Sequence, residues 1–292
     1  MKIRVGIKIL VMNFFVRYPN LISDKNHSKL LYFIMFGKIP NLDNPCTMNE
    51  YICSTKISNE KLAYAKYTDK YEVRNYVSKC IGNKYLNKII GIYNSFDEID
   101  FSNFPQKFVM KATHGSSYNI IVTDINKFDK LDAKSKFDKW LNENFYFKDR
   151  EKNYKNIIPR IMCDEFLEPH NGELEEFKLF CFNGKVGFIQ HNKQINGKRY
   201  DNIYDPLWNK MDVKYGYDGF NNDVLPDNKN ELIIVAEKLA KPFKFVRVDL
   251  YDVDERIIFS ELTFHSGGGL IPFEPKEYDL KFGNLIKNDS QD

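Results

Sequence analysis

No two of the chain's five cysteines stand in a Cys-x-x-Cys pair, and their number is odd. Cys46, Cys53, Cys80, Cys163 and Cys181 therefore do not read as disulfide staples or a structural zinc site, and the expected compartment is a reducing cytoplasm. Charge of one sign is missing too. Against 40 acidic residues stand 43 basic ones, for a formal net charge of +3, which gives no electrostatic footprint for nucleic acid. No apolar run reaches the roughly 18–20 residues that cross a bilayer. The segment 5–16 is apolar but carries Lys8 and lacks the small-residue cleavage site of a secretory signal. Internal repeats, low-complexity tracts and Pro/Ser-rich linkers are absent. So are a Gly-Lys-Ser/Thr phosphate loop, a Gly-x-Gly-x-x-Gly fingerprint and a Gly-x-Ser-x-Gly elbow, which removes three common enzyme plans. His27, His114, His170, His191 and His265 have no metal-ligand spacing.

Aromatic side chains are plentiful, with 24 Phe and 18 Tyr, and 292 residues are enough for a sizeable core. Residues 1–95 read as a helical region, with Leu30, Leu31, Phe33, Ile34 and Phe36 clustered and Tyr71, Val73, Tyr76, Val77 and Cys80 at helical spacing. Within it, residues 1–20 hold Lys2, Arg4, Lys8 and Arg17 and no acid. Two readings stand open: a helix packed on its own domain, or a peripheral contact with anionic lipid at the inner face of the membrane. Residues 96–168 read as an α/β unit: strands at 107–113 and 119–123 around a loop, a helix at 133–145 and a strand at 157–166. Residues 169–292 form the last unit. There 176–182 and 185–191 flank Asn183-Gly184, a strong hairpin signal. A helix at 231–240 follows, then a hairpin of 245–251 with 256–264 and a closing helix at 274–285. A helical lead-in before antiparallel strands predicts an α+β fold, not a doubly wound parallel sheet.

Four constellations carry chemistry. In Lys111-Ala112-Thr113-His114-Gly115-Ser116-Ser117-Tyr118-Asn119 a lysine ends a strand and a Gly/Ser turn follows. Such a turn offers backbone N–H groups to phosphate oxygens, and the lysine adds a point charge; an ordinary hairpin loop has the same look. Strand alternation puts Arg247 and Asp249 on one face and Glu261 and Thr263 on one face of the next strand. If the strands pair, two carboxylates converge, and a cation such as Mg²⁺ beside nucleotide phosphates would offset their burial; a salt bridge from Arg247 or Arg256 would do the same. Ser266-Gly267-Gly268-Gly269 offers close backbone approach and N–H donors to an oxyanion, or is a flexible loop. Last, an apolar strand ends in Cys163-Asp164-Glu165-Phe166-Leu167-Glu168, with Glu176 and Lys178 on one face of the strand after it.

Taken in order, these segments resemble the TupA-like ATP-grasp family, named for teichuronopeptide synthesis and found in surface-polysaccharide gene clusters. Further marks of the likeness are Asn44-Pro45 with Asn49-Glu50, Thr68-Asp69-Lys70-Tyr71 with Arg74-Asn75-Tyr76-Val77, and Tyr93-Asn94-Ser95-Phe96-Asp97-Glu98-Ile99-Asp100. Phe108-Val109-Met110-Lys111, Phe177-Lys178, Cys181-Phe182-Asn183-Gly184-Lys185, Val246-Arg247-Val248-Asp249-Leu250-Tyr251 and Glu261-Leu262-Thr263-Phe264 extend it. The resemblance implies an ATP-grasp fold, a helical N-terminal region followed by two α+β subdomains that grip ATP.

It also implies roles. Lys111 matches a lysine on the nucleotide phosphates, and His114, Gly115, Ser116 and Ser117 a mobile loop over them. Lys70 matches a second phosphate lysine, with Arg74 as its alternate. Asp164, Glu165, Phe166 and Leu167 match the adenine hinge, Glu176 the ribose acid, and Lys178 follows it. Asp249 and Glu261 match magnesium carboxylates, Arg247 the arginine that steadies the transferred phosphate, and Gly267 and Gly268 the oxyanion turn. Thr263 stands where the broader group carries Asn, and Cys163-Asp164 where a small residue and Glu are more usual.

The implied activity is ATP-dependent, Mg²⁺-dependent joining of a carboxylate to an amine through an acylphosphate, on a uronic-acid-containing glycan or its precursor. Residues 192–201, with Arg199, lie where an acceptor would bind. Rival readings are a glycosyltransferase using Asp252-Val253-Asp254, a sugar phosphotransferase using the same ATP site, and a degenerate binding protein.

Overall fold

The computed structural model describes residues 2–169 and 174–287; His170 and residues 1, 171–173 and 288–292 lie outside them. Helix α1 spans Lys2–Arg17 and α2 Asp24–Phe36. The side chain of Ser23 accepts from the Asn26 N–H to start α2, and Gly37 ends it at φ 72°. Helix α3, Met48–Lys56, opens on a capping box in which Thr47 and Glu50 satisfy each other's backbone N–H. Short α4, Ala65–Thr68, and α5, Val73–Ile81, complete the helical stretch. That stretch is not wholly helical. Strand β1, Ile89–Tyr93, lies inside it and pairs with a strand more than seventy residues on. Its five residues are all half-buried, so it shows no clear alternation to read.

Four strands make the smaller sheet, in the order β1-β4-β2-β3. They are β2, Phe108–Ala112, β3, Asn119–Val122, and β4, Ile161–Glu165, all antiparallel. Strand β4 starts four residues later than the apolar run suggests, beyond Pro159, which has no N–H for a ladder. Phe108, Met110 and Ala112 point into a core with Phe137 of helix α6, Lys130–Leu141. Val109 and Lys111 take the opposite face. The one-turn helix α7, Tyr146–Asp149, follows.

The larger sheet runs β10-β9-β5-β6-β7 and is antiparallel throughout. Its strands are β5, Glu175–Phe182, β6, Lys185–Ile195, β7, Lys198–Tyr204, β9, Phe245–Val253, and β10, Arg256–Thr263. A two-residue strand β8, Lys214–Tyr215, pairs with β11, Phe273–Glu274. Asn183 and Gly184 both sit at positive φ, 49° and 78°, and join β5 to β6 as a primed turn. A Cβ on Gly184 would stand 3.2 Å from the Cα of Lys241. Asn196-Gly197, at φ 52° and 73°, repeats the device between β6 and β7. The β9–β10 connection is tighter than four residues: Val253 pairs with Arg256 across Asp254-Glu255.

Helix α8, Lys229–Ala240, covers one face of this sheet. Leu232, Val235, Ala236 and Leu239 pack on Phe177, Leu179, Val248, Leu250 and Leu262. The other face is covered only at one end. There Met48 and Ile52 of α3 and Phe282 and Ile286 of α9, Glu277–Lys287, close over Phe180, Phe182, Phe188 and Phe245. Farther along the same face the strands carry Glu176, Lys178, Arg247 and Asp249.

Phe180 and Phe188 are fully buried and stack at 4.0 Å between ring centroids. Phe188→Ala is expected to cost about 3–5 kcal/mol, the range for a buried aromatic truncation. Urea unfolding measures it, and a loss below about 1 kcal/mol would mean this face repacks around the hole.

Candidate nucleotide-binding cleft

A cleft of about 290 Å³ opens between the two sheets. From the smaller sheet and the segment before it come Lys70, Arg74, Lys111, Ser117, Asp164 and Leu167; from the larger come Glu176 and Glu261. Lys111 reaches the cleft because it alternates with the buried Met110 and Ala112. Its Nζ donates to Asp164 Oδ2 at 2.9 Å. The other oxygen of Asp164 is buried and has no hydrogen-bond partner among the described residues. Lys70 donates to the carbonyl of Gly115, and Arg74 to that of Asn87 at 2.6 Å. Burial pushes the Lys70 ammonium down, only partly offset by Glu261, and Lys111 adds to the fall.

Behind Glu261 lies a buried ionic network. Asp249 pairs directly with Glu261 across β9 and β10. Arg247 donates to both oxygens of Asp249, at 2.7 and 2.6 Å, and Lys178 donates to one of them at 2.7 Å. Arg247 also reaches Thr263 Oγ1 at 3.0 Å and Glu261 Oε1 at 3.4 Å. The Thr263 hydroxyl donates to Glu261 at 2.8 Å. Glu176 stands 2.8 Å from Lys178. Burial alone would raise the Glu261 carboxyl, but Lys70, Arg247 and Lys178 outweigh it and hold it down to about 2.

Two carboxylates and a hydroxyl are hard oxygen donors, too few for an all-protein cage and suited to a cation that keeps water and phosphate ligands, as Mg²⁺ does. Asp249 Oδ1 accepts a single bond, which leaves a lone pair. Among the described residues no three His, Cys, Asp or Glu side chains converge as a metal cage. His27, His114, His191 and His265 are buried.

Other expected residues stand at the margin of the cleft. His114 is buried, its Nε2 2.8 Å from the Trp140 carbonyl. Gly115 is compressed by the Tyr118 ring, which a Cβ would meet at 2.4 Å. Ser116 is exposed. Glu165 pairs with Lys88 at 2.7 Å, and Phe166 lies under Lys107. Asp252 closes β9 and Asp254 sits in the tight turn at φ 50°; both line a separate surface hollow that shares no residue with the cleft. Arg199 is held by Asp201 at 2.9 Å and lines a neighbouring hollow that meets the cleft at Glu176 and Tyr251.

The glycine turn joins the network through Ser266, whose Oγ accepts from Arg247 at 2.9 Å. Gly267 and Gly268 have φ of 56° and 65°, and the N–H of Gly268 donates to the His265 carbonyl at 2.9 Å. A Cβ on Gly268 would fall 1.8 Å from Asp149, and one on Gly269 would fall 2.6 Å from the Asn49 carbonyl. Glycine is thus favoured here by the left-handed backbone and by packing together. Lys56, wholly buried, donates to Asp149 at 2.9 Å and to the Gly268 carbonyl at 3.0 Å. Lys56, Asp149 and the nearby Glu151 were not singled out in the sequence, where each is one charged residue among many.

The sequence profile of the TupA-like ATPgrasp family matches residues 50–287, and the chain belongs to that family. Among solved structures it is similar to D-alanine–D-alanine ligase from Helicobacter pylori, at 16% identity over 76% of this chain and 60% of that one, with a TM-score of 0.38. It is similar to the ATP-grasp ligase PsnB in complex with a phosphomimetic variant of its minimal precursor, Mg and ADP, at 8% identity over 82% and 66%, with a TM-score of 0.43. The N5-carboxyaminoimidazole ribonucleotide synthetase of Thermus thermophilus is a third, at 9% over 68% and 45%, with a TM-score of 0.37. The chain thus spans about 60% of the length of the first of these. No curated protein matches it.

Burial pushes the Glu151 carboxyl up to about 7 from 4.5, against the pull of Lys56. A raised carboxyl keeps its proton in the folded state where the unfolded chain would lose it. The stability it adds is full below 4.5 and is lost as the pH rises through about 7. Glu151→Gln is expected to flatten the pH–stability curve in that window. Parallel urea midpoints for variant and parent across it would refute the assignment.

Proposed function

We propose that the chain binds ATP with Mg²⁺ in this cleft and uses it to activate a carboxylate for attack by an amine. The observation that carries the reading is the opposition of Lys70 and Lys111 on one side to Glu261, backed by Arg247 and Asp249, on the other. Membership of an ATP-grasp family supports it. Asp249, Glu261 and Thr263 are the residues that would hold Mg²⁺, which when bound supplies charge neutralisation at the phosphates.

A carboxylate oxygen of the acceptor attacks the γ-phosphorus, and the bond to the β,γ-bridging oxygen breaks, with its electron pair leaving on ADP. The acylphosphate then takes an amine nitrogen at its acyl carbon, phosphate departs, and the nitrogen gives up a proton to leave an amide. The protein's part is positioning and charge compensation. Lys70 and Lys111 neutralise phosphate oxygens. Arg247, held rigid by Asp249, Thr263 and Ser266, stands behind Glu261 and adds fixed positive charge to that side of the site without reorganising. Asp164, with one buried oxygen unpartnered, offers an acceptor to the amino group of adenine. Glu176, on the lining of the cleft, is the acid we assign to the ribose hydroxyls. The carboxylate we assign is that of a uronic-acid-containing glycan or its precursor, and the amine an amino acid or simple amine. The setting of the family supports both.

Thermal unfolding with Mg²⁺ and a non-hydrolysable ATP analogue tests the site, beside Mg²⁺ and UDP-sugars. A ligand at about a hundred times its dissociation constant stabilises by about 2.7 kcal/mol. The expected result is a rise of several degrees that needs Mg²⁺ and shrinks in Lys111→Ala and Glu261→Gln. A rise with UDP-sugars alone would overturn the reading in favour of glycosyl transfer. ADP release that depends on an added uronic acid is expected; release with a neutral sugar would point to a phosphotransferase instead.

A further inference from the structure

Helix α1 is apolar on both sides. Val5, Val11 and Met12 turn inward onto the α2 core, and Phe15 meets the His27 ring at 5.7 Å. Two bonds fix the helix there and a third fixes the turn after it. Arg4 donates to the Met35 carbonyl at 2.8 Å, and Arg150 to the carbonyls of Pro19 and Phe15 at 2.9 and 3.4 Å. The outward side carries Ile3, Ile7, Leu10 and Phe14, which the four-three-four spacing sets in one stripe. Ile3 is 80% exposed and Leu10 71%, and Leu21 beyond the helix is 68% exposed. A helix with an apolar stripe on two sides and cover on one leaves the second stripe unpartnered among the described residues.

The rim of the stripe tells what covers the other. No acid occurs in residues 1–23. Arg17 is exposed at the end of the stripe. Lys139 and Lys148 lie on another side of the helix, in a groove with Met12, Asn13 and Val16, and share one acid, Glu143, at 4.0 and 3.8 Å. An apolar stripe with a basic rim complements an acyl layer under anionic headgroups. A second copy of the chain would set one basic rim against another. Among the described residues no helix is long and apolar enough to cross a membrane, and the stripe suits α1 to lying along a surface. We propose that the outward face of α1 docks this protein on an anionic lipid surface, with Ile3, Ile7, Leu10 and Phe14 inserted and Arg17 among the headgroups. None of these residues lies in the cleft, so the inference is independent of the reaction.

Co-sedimentation of the whole chain with vesicles tests it, using phosphatidylcholine with phosphatidylglycerol against phosphatidylcholine alone. The protein is expected to pellet with the anionic vesicles only and to be released by salt. Leu10→Asp should weaken binding about tenfold or more, since it removes one buried leucine from the acyl layer. Arg17→Glu, which leaves the apolar stripe intact, should weaken it too; it carries the test if Leu10→Asp fails to fold. Equal pelleting with both vesicles, or with neither, would overturn the proposal. A dimer in solution that Leu10→Asp splits, with vesicle binding unchanged, would assign the face to a second copy.

Discussion

One residue out of step in β10 decides where the charge of the larger sheet goes. Ile257 and Phe259 pack in the core beneath α8, and strict alternation would send Glu261 after them. The register shifts between Phe259 and Glu261, so Leu262 takes the core position and Glu261 and Thr263 pass to the face that carries Arg247 and Asp249. The bulge thereby spares the core a buried carboxylate and gathers the acids of two strands at one place. That gathering needs cations as much as it supplies anions. Asp249 is wholly buried, and a lone carboxylate there would be strongly unfavourable. Arg247 and Lys178 make it tenable, and Arg247 then ties the pair to Glu261, Thr263 and Ser266.

Much of this was legible beforehand. The two-residue spacings Arg247-x-Asp249 and Glu261-x-Thr263 fix a shared face on each strand, and the order of the hairpins fixes their neighbours. Pairing of β9 with β10 sets Asp249 and Glu261 near each other, but their shared face needs the bulge as well, and nothing in Phe259-Ser260-Glu261 announces an extra residue. Hairpin turns were unevenly read. Asn183-Gly184 stands between apolar strands and is plain, whereas Asn196-Gly197 has the same chemistry amid Lys, Gln and Arg. Strand β7 was therefore missed, though the turn signal was present.

The triple glycine shows a different limit. Its sequence suggests a backbone laid open to a ligand. In the fold the turn is also crowded from within the chain, with Ile271 against Gly267, Asp149 against Gly268, and Asn49 and Cys53 against Gly269. A demand for close backbone approach leaves the same mark in a sequence whether a ligand or another part of the chain makes it. Lys56 belongs to that packing: its charge is buried to hold the Gly268 carbonyl and Asp149 together, which no local pattern reveals.

Helix α3 has one more consequence. It is near the start of the chain, yet its partners are near the end: Asn49 bonds Asp279 and the Ile271 carbonyl, and Cys53 and Lys56 meet Gly268. These contacts span more than two hundred residues. A growing polypeptide cannot close such loops until its last strands and α9 have emerged, and the entropy of closing them opposes early docking. The docking that lets Met48 and Ile52 cover Phe180 and Phe188 is therefore complete only once α9 has been made.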